Sequence, residues 1–265
     1  MEETYIESHQ NNHVKNLVKL RERKHRNRQE RFIIEGLREI KHAFDSEFQL
    51  LTVYFCPELF PSTSHERFLK HLRTDKDTSL IRLHTSAFDK ASQREGPDGL
   101  IAIAEPTDSN LDAITLEDKS TVLVLEGIEK PGNLGAIIRS ADGAGIRAIF
   151  MLNCLIDPYN PNAIRASQGL VFRIPIISIQ ESVLFNWLKE NAFETIATSP
   201  SADKAYNEVN YTQRSALFIG SESKGLSQRC LSQVAQKIAI PMKGEADSLN
   251  VSVATAICLY QINQK

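Results

Sequence analysis

The sequence predicts an α/β protein built on a mostly parallel sheet covered by helices on both faces, with a smaller α/β domain in front of it. Two observations carry this. From residue 121 onward, short and wholly apolar runs alternate with helical stretches, the pattern of strands buried on both sides. Ahead of residue 105, strand-like and helical pieces also alternate, and the polar, turn-rich Glu105-Pro-Thr-Asp-Ser-Asn-Leu-Asp112 separates the two regions. The expected organisation is a loose tail over 1–10, a first domain over 11–104, a linker over 105–117 and a second domain over 118–265.

Taken in order, residues 32–34, 50–55 and 100–104 read as strands of the first domain, and 38–44 and 65–73 as helices. In the second domain 121–125 is a short apolar strand. Residues 134–145 form a helix whose apolar positions Leu134, Ile137, Ile138 and Ala141 share a face, and 148–152 is the next strand. Further strands are expected at 172–179, 195–198, 216–219 and 237–240, with helices at 181–191, 226–235 and 251–262.

Composition narrows the class. With 42% hydrophobic and 24% charged residues among 265, this is an ordinary globular protein. No apolar run approaches the roughly 18–20 residues of a membrane span, and Met1-Glu-Glu-Thr-Tyr5 lacks the layout of a secretory signal. The four cysteines are scattered without C-x-x-C spacing, so neither a disulfide framework nor a metal site is expected, and a reducing cytoplasm fits. The net charge of −2 hides a local asymmetry. Between Lys15 and Arg31 stand eight basic residues (Lys15, Lys19, Arg21, Arg23, Lys24, Arg26, Arg28, Arg31) against Glu22 and Glu30, a local charge of +6. Such a segment either contacts nucleic-acid phosphates or is a solvated helix face.

Three segments of the second domain place small or polar residues after a strand, where an α/β sheet builds its ligand site. The first is Glu126-Gly-Ile-Glu-Lys-Pro-Gly-Asn-Leu-Gly-Ala-Ile-Ile-Arg139. Its Asn133 is placed to cap a helix, and Arg139 stands among apolar helical positions. The loop has neither Walker A nor G-x-G-x-x-G spacing, so a nucleotide fold of those types is weakly supported. The second is Gly220-Ser-Glu-Ser-Lys-Gly225. It misses the first glycine of a G-x-S-x-G elbow, and no histidine follows His84, which argues against a serine hydrolase. The third is Ile240-Pro-Met-Lys-Gly-Glu-Ala-Asp-Ser-Leu-Asn-Val-Ser252, whose Ser248 and Asn250 could also cap the last helix.

Together, in this order, the three segments resemble motifs 1, 2 and 3 of the SpoU (TrmH-type) branch of the SPOUT superfamily, over residues 119–262. Residues 11–104 are similar, less specifically, to that branch's ribosomal-protein-like RNA-binding domain. The resemblance implies an S-adenosylmethionine-dependent RNA ribose 2′-O-methyltransferase acting on rRNA or tRNA. It further implies a trefoil knot in the second domain and a homodimer that shares its active site. Residue by residue, it implies catalytic roles for Asn133, Arg139, Glu222, Ser248 and Asn250, with the arginine activating the ribose hydroxyl. Cofactor contacts are implied for Gly220, Gly225, Ile240, Met242 and Leu249. RNA contacts are implied for Lys15, Arg21, Arg23, Lys24, Arg26, Arg28 and Arg31. Lys130 departs from the Asp-Pro of many relatives and is either solvated or placed to touch phosphate. The alternative reading is an RNA-binding module of the same fold that transfers no methyl group; a third is a nucleotide-dependent α/β enzyme with no RNA substrate.

Overall fold

The computed structural model describes residues 4–74, 77–107 and 110–264. In chain order the elements are β1 (Thr4–Ile6), α1 (Asn12–Lys19), α2 (Arg23–Gln29), β2 (Phe32–Glu35), α3 (Leu37–Asp45), β3 (Leu50–Phe55), α4 (Thr63–Leu72), β4 (Ser79–Leu83), α5 (Thr85–Ala91) and β5 (Leu100–Ala104). There follow β6 (Ser120–Glu126), α6 (Pro131–Gly143), β7 (Ile149–Leu152), α7 (Pro161–Ala166), β8 (Ile176–Ser178), α8 (Glu181–Glu190), β9 (Glu194–Thr198), β10 (Arg214–Ile219), α9 (Gln228–Gln233), β11 (Gln236–Ile238) and α10 (Val251–Asn263). The chain divides into two units: residues 1–108 with 159–173, and residues 109–158 with 174–265. Of the expected linker, residues 108 and 109 lie outside the described residues, and Leu111–Ala113 form a single 3-10 turn.

The first unit is a five-stranded mixed sheet in the order β1-β4-β3-β5-β2, with β5 antiparallel to both its neighbours. Residues 4–6, expected in a loose tail, instead form an edge strand parallel to β4, and Ile6 enters the core. The local sequence explains the helix starts. Asn11 accepts from the His13 amide at the head of α1, which buries Val14 and Leu17. His84 does the same for α5 by accepting from the Ser86 amide. The segment between β7 and β8 belongs to this unit although it lies far along the chain. Its Tyr159 and Phe172 rings stack on Phe32, at centroid distances of 4.4 and 5.9 Å. The strand expected over 172–179 is therefore shorter: Leu170–Phe172 is a 3-10 turn and the strand begins at Ile176.

The second unit is a six-stranded sheet in the order β11-β9-β10-β6-β7-β8, and among the described residues every pairing between these strands is parallel. All seven residues of β6 and all four of β7 are buried. Parallel strands share one carboxyl edge. The chain steps outward from β6 through β7 to β8, then resumes on the opposite side with β9, so the strand order switches direction beside β6 and β10. Ligands of open α/β sheets bind beyond the carboxyl ends at such a switch.

Candidate active site

Helix α6 starts earlier than its apolar spacing suggested. Pro131, with its fixed φ and missing N–H, takes the first helical position, and Lys130 is the N-cap. Asn133 is consequently not a cap. It lies in the first turn, and its Oδ1 accepts from Asn250 Nδ2 at 3.3 Å. Asn250 Nδ2 also donates to Glu222 Oε1 at 3.0 Å. The Asn250 Oδ1 accepts from the Ser252 amide at 2.9 Å and the Ser252 hydroxyl at 2.6 Å, so Asn250 alone caps α10. Ser248, the other expected cap, lines a pocket instead. The second Glu222 oxygen, Oε2, meets the Lys130 ammonium at 3.0 Å. That ammonium, aided by Asn133 and opposed by partial burial, holds the Glu222 carboxyl below the usual carboxylate range. One connected group of side chains thus joins the loop after β6, the loop after β10 and the head of α10.

Glu222 is positioned by a tight loop. Past β10 the Gly225 amide donates to the Ser221 carbonyl at 2.9 Å, and the Lys224 amide to Ser221 Oγ at 3.2 Å. A Cβ at Gly220 would stand 2.1 Å from the Gly225 carbonyl carbon, so only glycine lets the loop fold back on itself. Glu126 secures the other end. It is 7% exposed and accepts from the Ser227 amide at 2.8 Å, while Ser227 caps α9. Sequence reasoning passed over Glu126; its signal was an acid ending an otherwise apolar strand.

The loops after β9, β10 and β11 enclose a pocket of about 820 Å³. Its walls include Ile219, Gly220, Gly225, Ile238, Ile240, Met242, Leu249 and Val251, which brings together all five residues expected to contact a cofactor. Its ionisable lining is Asp203, Glu208, Glu222 and Asp247, with no lysine, arginine or histidine. Such a pocket suits a flat apolar ring joined to a cationic group. It opposes a polyphosphate. Arg139 is not brought into this arrangement: it is exposed on α6, is absent from the pocket lining and, among the described residues, has no hydrogen bond or ion pair.

In the other unit, the basic segment forms two helices rather than one, α1 and α2. Lys15, Arg23, Lys24, Arg28 and Arg31 are exposed. Two of the expected RNA contacts are corrected. Arg26 is 4% exposed, and its guanidinium donates to the Leu20 and Arg21 carbonyls at 3.1 and 2.7 Å. Arg21 donates to the carbonyls of Lys90, Ala91 and Ser92 at 2.7–2.9 Å. Both close off backbone groups at the ends of local structure. The four cysteines are free, and burial pushes the Cys230 and Cys258 thiols up to about 12.

Residues 120–260 match the model of the SpoU rRNA methylase family, which is more than half the chain. The chain belongs to the SpoU rRNA methylase family. Residues 11–102 match an MRM3-like substrate binding domain. The SpoU chain is 28% identical over 97% of its length to the 23S rRNA (guanosine(2553)-2′-O)-methyltransferase RlmP of Bacillus subtilis, covering 98% of that protein. It is 26% identical to the 23S rRNA (uridine(2479)-2′-O)-methyltransferase of Streptomyces viridochromogenes, over 90% of this chain and 84% of that one. Among solved structures, an RNA 2′-O ribose methyltransferase is 35% identical with a TM-score of 0.84, over 98% of both chains. An AdoMet-bound rRNA methyltransferase from Sinorhizobium meliloti is 26% identical with a TM-score of 0.89, over 98% of this chain and 97% of that one. Asn133, Arg139, Glu222, Ser248 and Asn250 all fall inside the SpoU domain, and the exposed basic residues inside the MRM3-like domain.

Proposed function

We propose that this SpoU-family protein transfers a methyl group from S-adenosylmethionine to a ribose 2′-hydroxyl of ribosomal RNA. The observation that carries the reading is the acidic, partly apolar pocket at the switch point of a SpoU domain. Its carboxylates favour a sulfonium and an ammonium, while its apolar walls and bare glycine backbone favour an adenine ring. The same lining argues against a nucleotide-dependent enzyme, because four carboxylates would face the phosphates. The relatives named as 23S rRNA 2′-O-methyltransferases support rRNA over tRNA as the substrate.

When bound, S-adenosylmethionine supplies an electrophilic methyl carbon and a thioether leaving group. The work of the chain is positioning and electrostatics. Gly220, Gly225, Ile240, Met242 and Leu249 would hold the donor, and Ser248 sits on the same wall. Asn133, Glu222 and Asn250 keep the loops in register so that oxygen, carbon and sulfur can align. The ribose hydroxyl is a poor nucleophile at neutral pH and must lose its proton as the new bond forms. A guanidinium is always charged in proteins, so Arg139 would stabilise the developing alkoxide while the hydroxyl proton passes to solvent water. The exposed basic residues of α1 and α2 would grip RNA backbone, leaving specificity to RNA shape and unstacked bases.

Two observations support a homodimer with a shared site. Arg139 stands apart from the pocket of its own chain. Val253 and Tyr260, 47% and 50% exposed, lie seven residues apart on one face of α10, a helix apolar on nearly every side. A trefoil knot in the second unit and a cytoplasmic location complete the proposal. The deciding experiment supplies labelled methyl donor and rRNA, then maps the product nucleotide. Binding of both donor and RNA without transfer would favour the RNA-binding module.

A further inference from the structure

Lys130 stands where the resemblance leads one to expect an acid, and its side chain does something specific. Its ammonium lies 3.0 Å from Glu222 Oε2, yet the side chain remains 72% exposed. An ammonium has three donors. One faces Glu222, which leaves the others turned toward solvent beside a carboxylate that lines a pocket whose ionisable lining is wholly acidic. Glu222 cannot give up its charge cheaply, because Asn250 Nδ2 donates to it and Asn250 also caps α10.

This matters for the reaction proposed above, on which the inference rests. In RNA the 3′ phosphate hangs on the carbon next to the one bearing the 2′-hydroxyl. A ribose presented for methylation therefore brings an anion close to the Glu222 carboxylate. Left alone, the two like charges repel in a partly desolvated site. We propose that Lys130 is the phosphate-contacting residue of the site, bridging the Glu222 carboxylate and the phosphate that flanks the target ribose. Lys130 lies at the N-cap of α6, where the partial positive charge of the helix end acts in the same direction.

The test is direct RNA binding rather than turnover, so that it stands apart from the activity. The dissociation constant for an rRNA fragment is measured against KCl concentration for wild type, Lys130→Met and Lys130→Arg. Lys130→Met is expected to weaken RNA binding about tenfold at low salt and to reduce the log–log salt slope by about 0.7–0.9, the signature of one lost phosphate contact. Lys130→Arg is expected to restore the slope. Affinity for S-adenosylmethionine should stay at the wild-type value in both variants, and the thermal midpoint of Lys130→Met should fall only by the small amount that one exposed ion pair contributes. A Lys130→Met protein with the wild-type salt slope overturns the inference, even if its turnover falls, because a purely structural pair would not move that slope. If the wild type binds RNA with the expected slope but transfers no methyl group, the methyltransferase reading fails and the phosphate contact survives.

Discussion

At Asn250 one carboxamide serves two purposes: its oxygen caps α10 and its nitrogen ties Glu222 to Asn133. Substitution can separate them. Asn250→Ala should lose the cap, about 1 kcal/mol of stability, together with methyl transfer. Asn250→Asp keeps a capping oxygen but sets a carboxylate against the charged Glu222, so transfer should fall and the stability kept by the cap should be offset near neutral pH by a repulsion that mild acid relieves; denaturant titration and a transfer assay read the two effects. Arg139 offers the cleaner catalytic test. Its exposed guanidinium has no structural partner among the described residues, so Arg139→Ala should abolish transfer with donor affinity and thermal midpoint unchanged, and residual wild-type turnover would remove it from the mechanism. Glu222 sets a pH expectation. Its folded pKa is lowered, chiefly by Lys130, so its contribution to stability is fully present above the unfolded carboxylate value of about 4.3 and is lost as pH falls through the lower folded value. The stability gap between wild type and Glu222→Gln should therefore be flat through neutral pH and close only in acid.

Elements reveal which charges are available. Composition treats the basic segment as one run of +6, but its fold sorts the arginines by whether their guanidiniums are already committed. Arg26 is spent on the Leu20 and Arg21 carbonyls between α1 and α2, whereas Lys24 and Arg28 reach solvent from α2. Reversing Lys24 and Arg28 together should weaken RNA binding and flatten its salt dependence with little change in stability. Arg26→Ala should do the converse: it leaves buried carbonyls without their donor and lowers the thermal midpoint. The first helix of the second unit teaches the same point. Apolar spacing located α6 through Leu134, Ile137 and Ile138, but Pro131 starts the helix one turn earlier, and that displacement takes Asn133 off the capping position and lets its side chain accept from Asn250.

For the whole molecule, the open question is completion of the site. The pocket, Glu222 and Ser248 belong to one surface, and Arg139 has no contact there. A second copy docked through the exposed face of α10 would bury Val253 and Tyr260. Placing aspartate at both positions should yield a monomer by sedimentation and depress transfer while leaving the pocket able to take the donor. Unchanged association would exclude that face. The division of the chain also departs from a linear reading, since Tyr159 to Arg173 folds with the first unit. Nothing local in that stretch announces it: the deciding contacts are Tyr159 and Phe172 on Phe32, over a hundred residues upstream.

By itself the sequence determined the alternation of strands and helices in the second unit, the three polar segments after strands, and the glycines that a backbone-lined pocket requires. These are readable because apolar periodicity and turn chemistry are local. Only the tertiary structure decided that Asn133, Glu222 and Asn250 share hydrogen bonds, that Lys130 pairs with Glu222, that the pocket is acidic, and that Arg21 and Arg26 support the fold. Each of those depends on which groups meet across more than a turn of chain, and pairing of charges and donors is a property of proximity in space.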